Sequence, residues 1–362
     1  MNTEHKIFVN NSNNMSELKS NSVDLMVTSP PYPMIEMWDE LFSSINEEIS
    51  NRLEESKGKE AFNLMHDELN KVWEEVCRVI KPGGVACVNI GDATRKVNNS
   101  FQLYPNHVKV IDFFQDHGFI SLPEILWRKP TNKAAKFMGS GMLPTNAYVT
   151  LEHEHILIFR KGKGTRKFKP KSKKRYNSCY FWEERNKWFS DVWVDIKGVL
   201  QEINHNELRE RTAAFPLELP YRLINMYSIY GDTILDPFWG TGTTSLAAMI
   251  SGRNSFGYEL EKKFMDLFDS RLEHIEYITE KAIEKRIKNH LEFQKETEKK
   301  LNYNANHYDF RVTTKQEKNM LFYNIKEIKK IDDQYVIDYE KFNFSEENQR
   351  SIHTQSKLST QI

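Results

Sequence analysis

The stretch Ile234-Leu235-Asp236-Pro237-Phe238-Trp239-Gly240-Thr241-Gly242-Thr243-Thr244 constrains the fold of this chain more than any other. An apolar strand runs into two glycines one residue apart, and a helix predicted over Thr243 to Ile250 starts at once. Glycine lets a ligand approach the backbone, while the helix N-terminus offers unpaired N–H groups and the positive end of its dipole. A second strand, Asn254 to Tyr258, leads to Glu259. A carboxylate after the second strand of such a unit is well placed for ribose hydroxyls. The unit has the layout of a nucleoside site. It lacks the third glycine of G-x-G-x-x-G and the lysine of a P-loop, which argues against a dinucleotide or a nucleoside triphosphate.

The same alternation runs through the rest of the chain. Val23 to Val27 is an apolar strand; residues 34–80 read as helix, loop and helix, stopped by Lys81-Pro82-Gly83-Gly84. Strands are predicted over Val85–Ile90, Leu122–Arg128 and Val149–Phe159, and helices over Tyr104–Gly118 and within "PLELPYRLINMYSI". Strands alternating with helices imply a mostly parallel sheet covered on both faces. The aperiodic "KPTNKAAKFMGSGMLPTNA" reads as a lid or binding loop. Residues 262–301 are rich in Glu and Lys and suggest one long solvated helix or a pair. One hairpin follows, and a polar tail from about Ser345 is expected to be disordered.

Composition removes several classes. No run of 18 apolar residues exists to cross a membrane. The first twenty residues have no apolar segment after a basic start, so no secretion signal is expected. Cys77, Cys87 and Cys179 are widely spaced, which fits a reducing cytoplasm and no structural zinc. His153 and His155 share a strand face, but no third ligand lies at a sensible spacing, so no metal is expected. Net charge is zero, yet Arg160, Lys161, Lys163, Arg166, Lys167, Lys169, Lys171, Lys173, Lys174 and Arg175 fall in one run without an acid. Such a run on an otherwise acidic chain marks a candidate polyanion site.

The other sharp motif is Thr28-Ser29-Pro30-Pro31-Tyr32-Pro33, directly after the first apolar strand. Prolines lack an N–H and fix φ, so they end sheet pairing and hold the preceding carbonyls in place. Such rigidity suits a site that must present acceptors at fixed positions.

Together, "TSPPY" and "DPFWGTG" resemble the catalytic and cofactor motifs of the amino-directed DNA methyltransferases that use S-adenosylmethionine. The catalytic motif comes first here, which resembles the permuted, β-class order. "VIKPGGVACVNIGD", "EHEHILIFRKGK", "DVWVDI" and "RTAAFPLELPYRLI" fall where that class has them, so the resemblance covers about residues 7–275.

The resemblance implies a Rossmann-like seven-stranded α/β sheet, the last strand antiparallel, with the active site beyond the strands' carboxyl ends. It implies a catalytic domain over residues 1–275, holding a target-recognition insert at 160–205, and a charged, mainly helical extension over 276–362. Ser29, Pro30, Pro31 and Tyr32 would form the catalytic turn, with Tyr32 stacking on a base rotated out of duplex DNA. An exocyclic amine on a base is a poor nucleophile; the Ser29 hydroxyl and the Pro30 carbonyl are the candidate acceptors that would draw it toward a tetrahedral nitrogen. Phe238, Gly240 and Gly242, with Pro237 and Thr243, would form the cofactor loop. Asp236 would bind near the methionine amino group, Glu259 the ribose, and Phe215, Pro216 and Leu217 would close over the methionine end. The basic run would contact phosphates, and Tyr180, Phe181, Trp182 and Trp188 would either contact bases or anchor the insert. The insertion after Tyr32 is a second candidate for recognition contacts.

Serine at the first motif position resembles the cytosine-N4 variant; adenine enzymes more often carry aspartate or asparagine there, so adenine-N6 is the alternative. RNA or protein methylation, or an inactive nucleic-acid-binding relative, are further alternatives. A cognate restriction endonuclease acting on the same sequence is the protein partner such a modification enzyme implies.

Overall fold

A computed structural model describes residues 1–129, 138–196, 215–298 and 301–344. Its centre is one ten-stranded sheet, built from β1 (Asn2–Val9), β2 (Val23–Thr28), β3 (Ile80–Ile90), β4 (Phe119–Arg128), β5 (His153–Lys161), β6 (Val192–Trp193), β7 (Thr233–Asp236), β8 (Asn254–Glu259), β9 (Tyr323–Ile331) and β10 (Gln334–Lys341). The spatial order is β6-β4-β5-β3-β2-β7-β8-β1-β10-β9. Pairings from β3 through β2, β7 and β8 to β1 are parallel, while β5 runs antiparallel between β3 and β4.

Seven of these strands form the expected sheet, with β5 as its antiparallel member. Three extend it. The short β6 pairs with the edge strand β4. The C-terminal hairpin β9–β10, expected as a hairpin, pairs antiparallel with β1 and so continues the central sheet. The expected disordered tail lies outside the described residues.

Every residue of β2 is buried, as a strand covered on both faces requires. One face carries helices α1 (Asp39–Ile45), α2 (Glu47–Glu54), α3 (Gly58–Val79) and α4 (Asn106–Asp116). In α3 the buried residues Ala61, Phe62, Met65, Leu69, Val72, Trp73 and Val76 recur at three- and four-residue steps and pack on Val88, Ile90 and Leu157 of the sheet. The segment read as helix, loop and helix is thus three α-helices. The other face carries α5 (Glu218–Tyr227) and α6 (Thr243–Ile250), whose Leu219, Leu223, Ala247 and Ala248 pack on Leu25, Val27 and Ile158. The Glu/Lys-rich segment folds as a pair, α7 (Lys263–Leu272) and α8 (Ile275–Glu296). No helix among the described residues is long and apolar enough to cross a membrane.

The strand β3 begins at Ile80, earlier than the Lys-Pro-Gly-Gly turn suggests. Gly83 takes φ +77°, and the pairing with β2 shifts register between Val23 and Leu25, so the strand passes through the turn residues.

Candidate active site

Parallel strands bring their carboxyl ends to one edge of the sheet, and both motifs lie there. Ser29 to Tyr32 leave β2, Asp236 ends β7 and Glu259 ends β8, its neighbour. These residues line one cavity of about 400 Å³. Of the expected cofactor residues, Asp236, Pro237, Phe238, Gly240, Thr243, Glu259 and Phe215 line it, together with Ser29, Pro30, Pro31 and Tyr32. Gly242, Pro216 and Leu217 are not among its walls. Gly242 caps α6 at φ +75°, and a Cβ there would stand 2.4 Å from the Phe268 ring, so its role is the turn itself. Leu217 packs against the apolar clusters beneath.

The two motifs are joined by a hydrogen bond. Thr28 Oγ1 donates to Asp236 Oδ1 at 2.6 Å, and the Phe238 N–H donates to the same oxygen at 3.1 Å. Asp236 is buried, which pushes its carboxyl up to about 6. Glu259 accepts the N–H of Gly240 at 2.8 Å and of Glu261 at 3.0 Å, and burial raises it to about 7. The fit to a nucleoside rests on this wall: a carboxylate at the end of the second strand, a glycine backbone beside it, and the Phe238 ring.

Sequence reasoning missed the support behind Tyr32. The Tyr32 hydroxyl donates to Glu154 Oε2 at 2.9 Å and accepts from Asn89 Nδ2 at 2.9 Å. Asn89 also donates to Glu154 at 2.6 Å, and Lys129 pairs with the other oxygen of that carboxylate. Ser29 Oγ lies 3.0 Å from the Tyr32 hydroxyl. A phenol has one proton, and here it goes to Glu154. The proton of the Ser29–Tyr32 bond therefore comes from Ser29, which leaves the Ser29 lone pairs as acceptors. Burial and the Glu154 charge hold the Tyr32 phenol protonated, well above its usual range. The available signal was strand alternation: in "EHEH", Glu154 must face opposite to His153 and His155.

The cavity has further walls that the motifs do not announce. Asn10 to Asn13 after β1 contribute, as do Met37, Trp38 and Leu41 from the insertion after Tyr32. Part of that insertion therefore encloses the cavity.

The basic run lies away from the cavity, toward the starts of the strands. Because β5 is antiparallel, it carries Arg160 and Lys161 away from the site: Arg160 pairs with Val85, and the Lys161 ammonium donates to the carbonyls of Cys77 and Ile80 and to Asn21. Arg166 forks onto Asp232 at 2.5 and 2.8 Å and reaches Asp24 at 3.2 Å, both at the starts of strands. Lys174 lies beside Gly231. Lys163, Lys167, Lys169, Lys171, Lys173 and Arg175 are exposed along the same segment. Of the aromatic residues after it, Phe181 is fully buried among Ile287, Phe310 and Phe322 and Trp188 is buried, so these two anchor the segment, while Tyr180 and Trp182 are partly exposed. Residues 197–205 of the expected recognition insert lie outside the described residues.

Comparison with known proteins gives a consistent picture. The DNA methylase family model for N6 and N4 enzymes matches residues 23–270. The type II methyltransferase M.MthZI of Methanothermobacter thermautotrophicus is 54% identical over 357 residues, covering 98% of this chain and 100% of that protein. The type II methyltransferase M.MjaI of Methanocaldococcus jannaschii is 54% identical over 281 residues, 75% of this chain and 91% of that one. A Thermus thermophilus protein assigned as a DNA modification methylase, solved with S-adenosyl-L-methionine, is 30% identical with a TM-score of 0.58, covering 75% of this chain and 94% of that one. With both motifs on one cavity and kinship along nearly its whole length, the chain belongs to the DNA methylase family and is a DNA methyltransferase of the restriction-modification type.

Proposed function

We propose that the chain methylates the exocyclic 4-amino group of cytosine within a short duplex sequence, with S-adenosylmethionine as donor. One observation carries the reading of the catalytic turn: the Tyr32 proton is committed to Glu154, so Ser29 is left as an acceptor at the cavity wall. Accepting from the amine is the role direct transfer needs.

The residues present suit the donor. Glu259 would hold the ribose hydroxyls, Phe238 would lie against the adenine, and Asp236 would face the methionine end. When bound, S-adenosylmethionine supplies an electrophilic methyl group on sulfur. Ser29 Oγ and the Pro30 carbonyl accept from the amine and favour a tetrahedral nitrogen, and Tyr32 stacks on the base rotated out of the helix. The attacking nitrogen loses its proton after the methyl is in place, so no strongly basic side chain is required.

Serine at position 29, in place of an acidic or amide side chain, favours cytosine over adenine. DNA would approach the carboxyl ends of the strands, the edge on which the cavity lies. The test is incubation with unmethylated genomic DNA and labelled S-adenosylmethionine, followed by digestion to nucleosides and mass spectrometry. Label in N4-methylcytosine is expected; label in N6-methyladenine would overturn the choice of base. A cognate endonuclease is the partner proposed, and it would be blocked by DNA so treated.

A further inference from the structure

Beside the catalytic turn, on the face of β5 opposite Glu154, three metal-ligand side chains converge, with a further carboxylate against one of them. Asp92 follows β3, His107 lies in the first turn of α4, Glu124 lies in β4 and His155 in β5. One ligand atom from each of Asp92, His107 and His155 lies within 4.8 Å of the others. His107 Nδ1 is 2.8 and 2.9 Å from the two Asp92 oxygens, and the His107 and His155 rings stack with centroids 4.0 Å apart. His155 Nδ1 is 3.3 Å from Glu124 Oε2. His153, on the same face, places its ring 5.1 Å from that of His155.

We propose that this cluster binds a divalent transition-metal ion of the zinc class, with Asp92, His107 and His155 as ligands and Glu124 orienting the His155 ring through Nδ1. The donor set decides the class: mixed imidazole and carboxylate suits Zn²⁺ or Co²⁺, whereas Mg²⁺ and Ca²⁺ favour all-oxygen shells. The Asp92 and His155 side chains are only 8% and 11% exposed, so the cluster has a protein-lined wall, while His107 at 24% leaves it reachable from solvent. An Asp92–His107 ion pair alone accounts for two of the four groups. It gives no reason for a second imidazole stacked on the first with a carboxylate of its own.

The expectation of no metal rested on ligands being close in sequence. The fold supplies them from separate elements instead. An ion here would clamp β3, β5 and α4 together next to the site, with β4 joined through Glu124. Asn106, adjacent to His107, donates to the Pro33 carbonyl at 3.1 Å and to the Gly91 carbonyl at 2.9 Å, so the clamp bears directly on the catalytic turn. The role is structural, and no step of methyl transfer passes through it.

The test is titration of the chelator-stripped full chain with Co²⁺. A saturable visible absorption band at one ion per chain, displaced by Zn²⁺, is expected. The double variant His107→Ala, His155→Ala should lose it, and His274→Ala, a change at an exposed histidine, should keep it. Should the double variant lose its native near-ultraviolet circular dichroism, the milder Glu124→Gln decides, with an expected loss of about tenfold in Co²⁺ affinity. Absence of the band in the wild-type chain, its persistence in the folded double variant, or unchanged affinity in Glu124→Gln would overturn the assignment and leave an ion pair only.

Discussion

Tyr32 is saturated: its hydroxyl gives its proton to Glu154 and receives from Asn89 and Ser29. The polarity of Ser29 is thus set three residues downstream and across the sheet. Ser29→Ala removes the acceptor and is expected to lower kcat by about a hundredfold, the scale of losing one preorganised hydrogen-bonding group, with cofactor affinity unchanged. Tyr32→Phe frees the Ser29 proton to turn elsewhere, and Glu154→Gln places an amide where an acceptor-only group stood. Both should lower kcat while binding of the cofactor, measured by calorimetry, stays within a factor of two or so. Glu259 gives a pH test. Its carboxyl is raised to about 7 by burial, and its proposed role requires the charged form. Cofactor affinity should therefore rise with pH up to about 7 and then level off. The sign for the apo protein is opposite: a carboxyl raised on folding favours the folded state at low pH, so this group's contribution to stability fades as pH climbs from about 4.5 through 7. Glu259→Gln should flatten the affinity profile; an unchanged profile would remove Glu259 from ribose binding.

At the scale of elements, the glycine turn before α6 shows what a motif fixes and what it conceals. Gly242 combines a left-handed φ of +75° with a Phe268 ring where a Cβ would go. Gly242→Ala should cost about 2 to 3 kcal/mol in chemical denaturation through backbone strain and overpacking, although residue 242 does not line the cavity. Strands β2, β7 and β8 and helix α6 were legible because short buried strands and Gly turns are local signals. So were the walls Asp236, Phe238 and Glu259, which sit where strands end. Glu154, Asn89 and Lys129 were not legible, because each acts across the sheet from a strand or loop whose local pattern is ordinary. The β9–β10 hairpin was visible as a hairpin, but its docking on β1 was not, since edge pairing depends on which edge the rest of the fold leaves free. The basic segment was legible as charge but not as place: sequence carries the sign of a side chain, and the antiparallel course of β5 decides which end of the sheet receives it.

For the whole molecule, the separation of those two ends has a consequence for DNA binding. The cavity opens at the carboxyl ends of β2, β7 and β8, and the basic segment crosses their starts through Arg166 with Asp24 and Asp232. Six residues of β2 at about 3.3 Å each put roughly 20 Å between the two. A duplex that delivers a base to the cavity would meet the carboxyl-end surface, and Arg166 is in any case occupied by two carboxylates. Exposed Lys167, Lys169, Lys171 and Lys173 should therefore neutralise no phosphate in the productive complex. Replacing all four by Gln is expected to leave the slope of log Kd against log salt unchanged for a specific duplex, since each phosphate that a lysine had neutralised would account for about 0.9 of that slope. The same change should leave kcat unaltered. A slope reduced by two or more would mean that the duplex reaches around the sheet to its far end, and the docking direction argued from the cavity would have to be abandoned.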